Sequence, residues 1–362
     1  MTAWSRLEKI GSGSTGEVWR VQAPDGRFAA LKQEHQHRSL KAEIAALAQL
    51  DHPHIPDILD ADLDAEHPYL VMTLAEGEAL NVLIATGALW EYSLTLRLDA
   101  LASLADAVAH LHQRGLIHRD IKPSNMRGLA HPLLLDFGLA CAIGKFDDPD
   151  AGTSAYMPPP GEPPSPAADR YAFAVSVYHL LFGAHPSRDH HRKTYQMPQD
   201  RADDAAAFAS GDWRRPTTLP PSSIPGDLRG ADLAGLEALF IPAFSAEVSA
   251  RPPDLGVWMG KIRGCCGMGE AQESLKIQRT PHGVSVQEEI LAIGNPFVGT
   301  PFLASASSIS PSADETPFIP PPALPDFTAQ QAAGFDDTRP PSQGRWWARF
   351  LARLQMQNKR KR

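Results

Sequence analysis

The stretch LIHRDIKPSNMRG, residues 116–128, decides the fold of this 362-residue chain. It places a histidine, an arginine, an aspartate, a lysine and an asparagine within eight positions, directly after two apolar residues. Polar side chains at this density are either solvated on a surface loop or brought together for a reaction. The sequence on both sides of the stretch decides between these interpretations.

The flanking sequence predicts two regions of different character. Short β-like runs, EVWRVQA and FAALKQ, precede a helical pattern in which Leu40, Ile44 and Leu47 recur. Two longer helical patterns follow, and each ends at a glycine, Gly115 and Gly183. We therefore expect an α+β fold with a small β-rich lobe that carries one helix and a larger helical lobe.

A glycine array lies between two of the β-like runs. In IGSGSTGEVWRV, Gly11, Gly13 and Gly16 form GxGxxGxV, whose backbone amides can approach phosphate oxygens, with Val18 placed over an adenine ring. A glycine-rich hairpin without a ligand explains the array about as well. A strand containing Lys32 follows, where a dinucleotide-binding fold would begin a helix, so the order favours ATP over NAD.

Lys32 needs an anionic partner because it lies in an apolar strand. Glu43, on the helix that follows, can supply that partner. Glu34 is the weaker candidate because it continues the strand. A plain structural ion pair is the alternative explanation for Lys32 and Glu43.

The central stretch and its neighbours carry two signatures that identify a family. HRDxxxxN and DFG are matched, in order and spacing, by His118, Arg119, Asp120, Asn125 and Asp136–Gly138. On these motifs the chain resembles the eukaryotic-type, or Hanks-type, serine/threonine protein kinases, which also occur in bacteria. The resemblance covers about residues 7–262 and implies the two-lobed protein-kinase fold.

The resemblance also implies a role for each group. Asp120 would accept the proton of a serine or threonine hydroxyl, and Lys122 would contact the γ-phosphoryl group as it moves. Asn125 and Asp136 would hold Mg²⁺. Lys32 would orient the phosphates of ATP and would itself be fixed by Glu43. The nucleotide-binding residues implied in this way are Gly11, Gly13, Gly16, Val18, Lys32, Met72 and Ala75.

Two further residues have supporting roles in the family pattern. Asp169 resembles the buried aspartate that braces the catalytic loop. Thr153 resembles the threonine that bonds to Asp120 and Lys122.

The chain departs from the family pattern at two structural positions. Pro158–Pro160 replaces the Ala-Pro-Glu motif, whose glutamate normally pairs with the arginine found here as Arg251, and we expect Glu162 to substitute. Arg127 occupies the position that normally gives an aliphatic floor to the adenine pocket. Either Met126 shifts to fill this position or the pocket is more polar than usual.

A third departure concerns regulation. An arginine before the catalytic aspartate usually requires an activation-loop phosphate, yet residues 139–152 contain no serine, threonine or tyrosine. They do contain Asp147, Asp148 and Asp150. We hypothesise that this acidic cluster replaces the phosphate and keeps the loop ordered, so that unphosphorylated protein is active. A solvated acidic loop is the alternative.

Composition and the C-terminal sequence set expectations for location and partners. A net charge of −8 argues against nucleic-acid binding, and the absence of a signal sequence or long apolar run indicates a cytoplasmic protein. The predicted kinase domain spans about residues 1–265, with the lobes divided near residue 75. A disordered linker (266–343) and a basic amphipathic helix (344–362) follow. The helix suits an anionic membrane surface, which would make the protein peripheral there, or the groove of a partner protein.

Two other functions stay open on the sequence alone. A pseudokinase, an ATP-binding scaffold that signals through its tail, is suggested by the missing Ala-Pro-Glu motif and by Arg127. A small-molecule kinase of the same fold is the other, although Lys122 and the segment GTSAYM favour protein substrates.

Overall fold

The computed structural model describes residues 4–13, 16–34, 37–188, 190 and 198–268. The chain divides into two units, Met1–Lys276 and Ile277–Arg362, and all of the described residues belong to the first. The predicted terminal helix, and all but the first three residues of the predicted linker, lie outside the described residues.

An antiparallel sheet forms the N-terminal lobe. Its strands lie in the order β1-β2-β3-β5-β4. They are β1 (Ser5–Gly13), β2 (Gly16–Gln22), β3 (Phe28–Glu34), β4 (Ile58–Asp62) and β5 (Tyr69–Met72). Alternation along the strands sends small and branched apolar side chains to one face, where Trp4, Trp19 and Tyr69 pack against them. The predicted β-rich lobe is confirmed.

One helix, α1 (His37–Leu47), packs in this lobe. Leu40, Ile44 and Leu47 are each at most 2% exposed, so the predicted apolar face is the buried face. Only two residues separate β3 from α1. This short connection brings Glu43 on α1 towards Lys32 on β3.

The C-terminal lobe is helical. Its helices are α2 (Leu80–Thr86), α3 (Leu94–Gln113), α4 (Pro166–Phe182), α5 (Pro198–Ser210), α6 (Leu233–Ala243) and α7 (Leu255–Cys265). Ser93 and Ser165 cap α3 and α4 through their side chains, and Gly183 ends α4 with a left-handed φ of 70°. In the part of the chain that the structure describes, no helix is long and apolar enough to cross a bilayer.

Two short antiparallel ribbons position the motifs of the central stretch. β6 (Leu116–Ile117) pairs with β9 (Cys141–Ala142), and β7 (Met126–Arg127) pairs with β8 (Leu133–Leu134). The HRDxxxxN residues therefore lie in the loop between β6 and β7. Asp136–Gly138 lies between β8 and β9, so both motifs emerge from the same pair of ribbons.

Candidate active site

Three segments meet at the side chain of Lys32. Its Nζ lies 2.7 Å from Oε2 of Glu43 and 3.0 Å from Oδ1 of Asp136, which is 104 residues away in the sequence. The other oxygen of Glu43 accepts a 3.3 Å hydrogen bond from the backbone N–H of Phe137. The predicted ion pair between Lys32 and Glu43 is present, and it joins β3 and α1 to the DFG segment.

Glu34 belongs to this cluster as well. Its Oε1 lies 3.5 Å from Nζ of Lys32, while its Oε2 accepts a 2.9 Å hydrogen bond from the backbone N–H of Leu40. The sequence argument that set Glu34 aside was incomplete. Continuing the strand by two residues returns a side chain to the same face of the sheet, next to Lys32.

The charges of this cluster stabilise one another, so that Lys32 stays protonated and Asp136 stays ionised. Burial alone would lower the pKa of Lys32, but the carboxylates of Glu43 and Asp136 outweigh it and raise that pKa. Burial would raise the pKa of Asp136, yet attraction to Lys32 holds it below its usual value. Burial raises the pKa of Glu43. The site thus presents an ammonium and a carboxylate where a nucleotide would need both.

The carboxylate of Asp120 is held on both oxygens. Thr153 Oγ1 donates to Oδ1 at 2.7 Å, and Nζ of Lys122 donates to Oδ2 at 2.7 Å and to Thr153 Oγ1 at 2.6 Å. The amide of Asn125 donates to the carbonyl oxygen of Asp120 at 2.8 Å and to its Oδ2 at 3.0 Å. The contacts predicted for Thr153 are confirmed, and the carboxylate has a fixed orientation.

Asp169, at the start of α4, braces the backbone of the catalytic loop. It accepts hydrogen bonds from the backbone N–H groups of His118 (2.8 Å) and Arg119 (2.9 Å), and its Oδ2 lies 2.9 Å from Nε2 of His112. Burial would raise the pKa of Asp169, but the hydrogen bond from His112 and the amides outweigh it and lower that pKa. The predicted bracing contacts are present, and His112 is an additional partner that the sequence did not indicate.

Two positions in the site have strained backbones. Arg119 (φ 72°) and Asp136 (φ 63°) are the non-glycine residues with positive φ in the described part of the chain. Such conformations cost about 1–3 kcal/mol each and persist where surrounding contacts impose them. Asp169 fixes the first, and Lys32 holds the side chain of the second.

The glycine array forms the hairpin between β1 and β2. Gly13 pairs with Gly16 across it, and a Cβ on Gly16 would lie only 2.1 Å from the carbonyl oxygen of Gln33. A Cβ on Gly11 would meet nothing nearer than Val18, at 3.6 Å. Val18 is paired with Lys32 across β2 and β3. Gly16 is thus required by the close approach of β2 to β3, and Val18 and Lys32 are neighbours on the sheet.

The remaining predicted nucleotide-binding residues lie near the end of β5 and in β7. Met72 ends β5 and is 8% exposed, and Ala75 is half-buried in the segment before α2. Met126 is fully buried, and the β7–β8 pairing has no register shift, so Met126 does not take the place of Arg127. Arg127 is half-buried, with its Nε enclosed and without a hydrogen-bond partner.

Asn125 and Asp136 supply oxygen atoms of the kind that Mg²⁺ prefers. The backbone carbonyl oxygen of Asn125 accepts a 2.8 Å hydrogen bond from the backbone N–H of Leu135, the residue before Asp136. This bond joins the segment that contains Asn125 to the segment that contains Asp136. In the described ranges no group of three or more His, Cys, Asp or Glu side chains is placed to hold a metal. These two residues would therefore hold a metal ion only together with further ligands, because they do not form a complete cage among the described residues.

The departure at Pro158–Pro160 is compensated as expected. Glu162 forms a bidentate ion pair with Arg251, with oxygen to nitrogen distances of 2.7 and 2.6 Å. The side chain of Arg251 is fully buried. Glu162 thus neutralises the cation that the missing glutamate would otherwise leave unpaired.

The acidic-cluster hypothesis needs a correction. Arg119 donates to the backbone carbonyl of Asp148 and lies over the ring of Phe146, 5.9 Å from its centroid. The carboxylate of Asp148 accepts instead from the backbone N–H of Asp150, and that of Asp150 pairs with Arg201 on α5 at 2.8 Å. For Asp148 and Asp150 the expected pairing with Arg119 is therefore wrong, because a local turn and a second arginine take these carboxylates.

Sequence reasoning did not identify Arg201 as part of the site. It lies on α5 in the sequence PQDRADDAAAF, where an arginine among acidic residues looks like an ordinary solvated helix position. Arg201 is nevertheless only 5% exposed, and no periodicity in the sequence predicts this burial.

Comparisons with known proteins agree with this geometry. The model of the protein kinase domain matches residues 4–224. Serine/threonine-protein kinase PkaB of Streptomyces coelicolor is 35% identical over 202 residues, 49% of this chain and 48% of the relative. Serine/threonine-protein kinase PknA of Mycobacterium tuberculosis is 34% identical over 210 residues, 50% of this chain and 47% of the relative.

A vertebrate protein matches to a similar extent. Serine/threonine-protein kinase H1 of Homo sapiens is 32% identical over 203 residues, 51% of this chain and 47% of the relative. The chain thus spans about half the length of these curated relatives. The match of the family model over more than half of the residues, on a site with the arrangement described above, shows that the chain belongs to the protein kinase family.

Proposed function

We propose that this chain is a serine/threonine protein kinase that transfers the γ-phosphoryl group of Mg-ATP to hydroxyls of protein substrates. The observation that carries the proposal is the 3.0 Å contact between Lys32 and Asp136, which unites residues from the two lobes. The names of the matched relatives, all serine/threonine-protein kinases, support the same conclusion.

The residues divide the chemistry between them. Lys32 binds phosphate oxygens of the nucleotide, and Glu43 keeps its ammonium directed into the cleft. Asp120, fixed on both oxygens, holds the acceptor hydroxyl in line and takes its proton. Lys122 lies against Asp120 and stabilises the charge of the transferred group. Asn125 and Asp136 would hold Mg²⁺, which when bound neutralises charge on the phosphates.

The alternatives are less well supported. A pseudokinase would be expected to lack one of the groups that act on the nucleotide, yet Lys32, Asp120, Asn125 and Asp136 are all present and mutually connected. The comparisons give it no support. A small-molecule kinase is disfavoured because Lys122 and Thr153 form the bonded pair around Asp120 that the resemblance assigns to protein kinases acting on serine and threonine.

Phosphate transfer from labelled ATP to a generic protein, such as myelin basic protein, tests the proposal. The wild type should label serine or threonine, and Asp120→Asn should reduce the rate by about a thousandfold. Asp120→Asn should still gain thermal stability from Mg-ATP, because Lys32 and Asp136 are intact. Asp25→Asn, in the exposed turn before β3, serves as the matched control. Equal rates in Asp120→Asn and the wild type would refute the proposal.

We also propose a cytoplasmic location with peripheral attachment of residues 344–362 to anionic membranes. The support is the sequence alone, which alternates aromatic and basic residues at helical spacing. Cosedimentation of the full chain with phosphatidylserine vesicles, but not with phosphatidylcholine vesicles, is the expected result. Equal recovery with both vesicle types, or with neither, would contradict it.

A further inference from the structure

Two of the three prolines after the activation loop accept hydrogen bonds from a distant side chain. Pro158–Pro160 has no backbone N–H to donate, so this segment can only accept. Nε of Arg201 donates to the carbonyl oxygen of Pro158 at 2.9 Å, and Nη2 donates to that of Pro159 at 3.3 Å. Arg201 lies more than 40 residues further along the chain, so α5 holds the backbone of the proline run in place.

The same guanidinium also binds the activation loop. Nη1 of Arg201 donates to Oδ1 of Asp150 at 2.8 Å. The side chain of Arg201 is 4% exposed and that of Asp150 is 65% exposed, so the charge of a buried cation is met by a carboxylate that reaches in from the surface. A guanidinium in a fixed plane can serve several acceptors at once, which an ammonium cannot do with the same directions.

These contacts border the place where the acceptor would bind. Arg201 lines a surface cavity together with Asp120, Thr153 and Met157. A shift of the proline run would move Met157 and Thr153, and Thr153 donates directly to Asp120. The position of Arg201 therefore affects both the wall of this cavity and the orientation of the catalytic carboxylate.

We propose that Arg201 is a positioning residue for the protein substrate, and that Asp150 is the activation-loop carboxylate through which it keeps the loop ordered without phosphorylation. This inference rests on the proposed kinase function. The acidic loop then has a specific partner. One carboxylate, that of Asp150, binds the buried Arg201 of α5, in place of an acidic cluster that neutralises Arg119.

The contact between Arg201 and Asp150 can be weakened without unfolding the protein. Asp204 lies on α5 three residues after Arg201, the spacing at which side chains on a helix are neighbours, and it is 5% exposed. Asp150→Asn should therefore leave a folded protein in which only the loop contact is weakened. Arg201→Lys keeps the charge but cannot reproduce the three-way donation.

Steady-state kinetics of the full-length chain, treated with phosphatase beforehand, test the inference with myelin basic protein as the substrate. In Asp150→Asn and Arg201→Lys we expect the KM for protein to rise about tenfold, the effect of one charge-assisted hydrogen bond. The KM for ATP should change less than about twofold, because neither residue touches the nucleotide-binding groups. Asp150→Glu should restore most of the lost affinity. Asp203→Asn, on the exposed side of α5, is the control.

Hydrogen exchange across residues 145–157 provides a readout that does not depend on activity. Both variants should exchange faster there than the wild type and the control, while exchange in α1 and β3 stays the same. A wild type without transfer would refute the proposed function and leave the exchange result to decide the inference. Unchanged KM and unchanged exchange in both variants would overturn it.

Discussion

Among the described residues, buried arginines are neutralised by acidic residues that lie far away in the sequence. Arg251 pairs with Glu162, Arg201 with Asp150, and Arg263 with Asp99. Removing a charge from water costs several kcal/mol, so a guanidinium can be buried only where a carboxylate and carbonyl oxygens replace the solvent. The first two pairs each hold a loop against another segment, and the third joins α7 to α3.

The pair of Glu162 and Arg251 allows a direct prediction. Glu162→Gln should lower the free energy of unfolding by about 3 kcal/mol, since it leaves a fully buried guanidinium without its counter-charge. Urea denaturation followed by tryptophan fluorescence measures the change. Glu247→Gln, in an exposed turn, should change stability by less than about 0.5 kcal/mol. A similar loss of unfolding free energy in both variants would show that the buried ion pair contributes no more than an exposed glutamate.

At this scale the sequence predicts what motifs and alternation encode. The contacts among Lys32, Glu43 and Asp136 follow from the kinase motifs that these residues match, although Lys32 and Glu43 are closer in sequence than the family norm, and Glu162 follows from the position of the missing glutamate. Arg201 does not, because its partners are two backbone carbonyls and an exposed aspartate that no pattern links to it. Glu34 could have been found by applying the two-residue period of the strand to Lys32.

The helix α1 depends on a residue outside it. Glu34, at the end of β3, accepts from the backbone N–H of Leu40 in the first turn of α1. Helix termini leave N–H groups without intrahelical partners, and a side-chain acceptor there stabilises the helix by about 1 kcal/mol. The element that carries Glu43 is therefore fixed to the strand that carries Lys32 at two points.

A pair of variants separates the cap from the charge of Glu34. Glu34→Ala should destabilise the protein by about 1–2 kcal/mol and accelerate amide exchange at Leu40, because the acceptor is lost. Glu34→Gln keeps an acceptor oxygen and should protect Leu40 nearly as well as the wild type. Gln33→Ala, on the other face of β3, is the control. Equal exchange at Leu40 in Glu34→Ala and the wild type would disprove the cap.

The helix α4 carries a histidine that should make stability depend on pH. Burial, with a smaller contribution from His190, lowers the pKa of His179 to about 4. Its Nδ1 lies 3.1 Å from the hydroxyl of Tyr156, whose pKa is raised by burial, so the hydroxyl donates and the imidazole accepts. The unfolded chain binds a proton at about pH 6.5 and the folded chain only near pH 4, so stability is complete above pH 6.5 and falls as the pH drops through this window.

The expected size of this effect is about 2 kcal/mol between pH 7.5 and pH 5.0. Urea denaturation at the two pH values measures it, and His179→Asn, which keeps an acceptor for Tyr156, should reduce the difference by that amount. His118, whose pKa is also lowered by burial, will leave part of the pH dependence in the variant. An identical difference in the variant and the wild type would show that His179 does not titrate in this way.

At the scale of the whole molecule, the two lobes differ in construction. The sheet is held by strand pairing, and the helical lobe by a cluster of aromatic side chains around Tyr178. Glycines and apolar periodicity in the sequence identify each lobe by itself. The motif residues predict one junction between the lobes, the ion pair of Lys32 and Asp136. They do not predict the junctions made by two histidines, in which His52 lies 3.0 Å from Asp106 and His54 lies 2.8 Å from the carbonyl oxygen of Pro132.

The packing of α7 against the helical lobe sets the C-terminal boundary of the kinase fold. Four apolar side chains of α7 are buried against the helical lobe: Leu255, Trp258, Met259 and Ile262. Burying each contributes about 2 kcal/mol, so together they provide about 8 kcal/mol, which is comparable with the total stability of a typical domain. Just after α7, Met268 also contacts the helical lobe, where Thr95 Oγ1 lies 3.8 Å from its Sδ.

Truncation tests this boundary. A chain ending at Met268 should unfold cooperatively, with a Tm within about 2 °C of the full chain, and should transfer phosphate at the same rate, since every described contact of the site is retained. A chain ending at Pro253 should lose its cooperative transition, because Trp258 and its three neighbours no longer fill the space beside α3 and α6. Scanning calorimetry distinguishes these outcomes. A folded, active chain without α7, or a large loss of stability on removing residues 269–362, would move the boundary of the kinase domain away from the position that the buried face of α7 assigns.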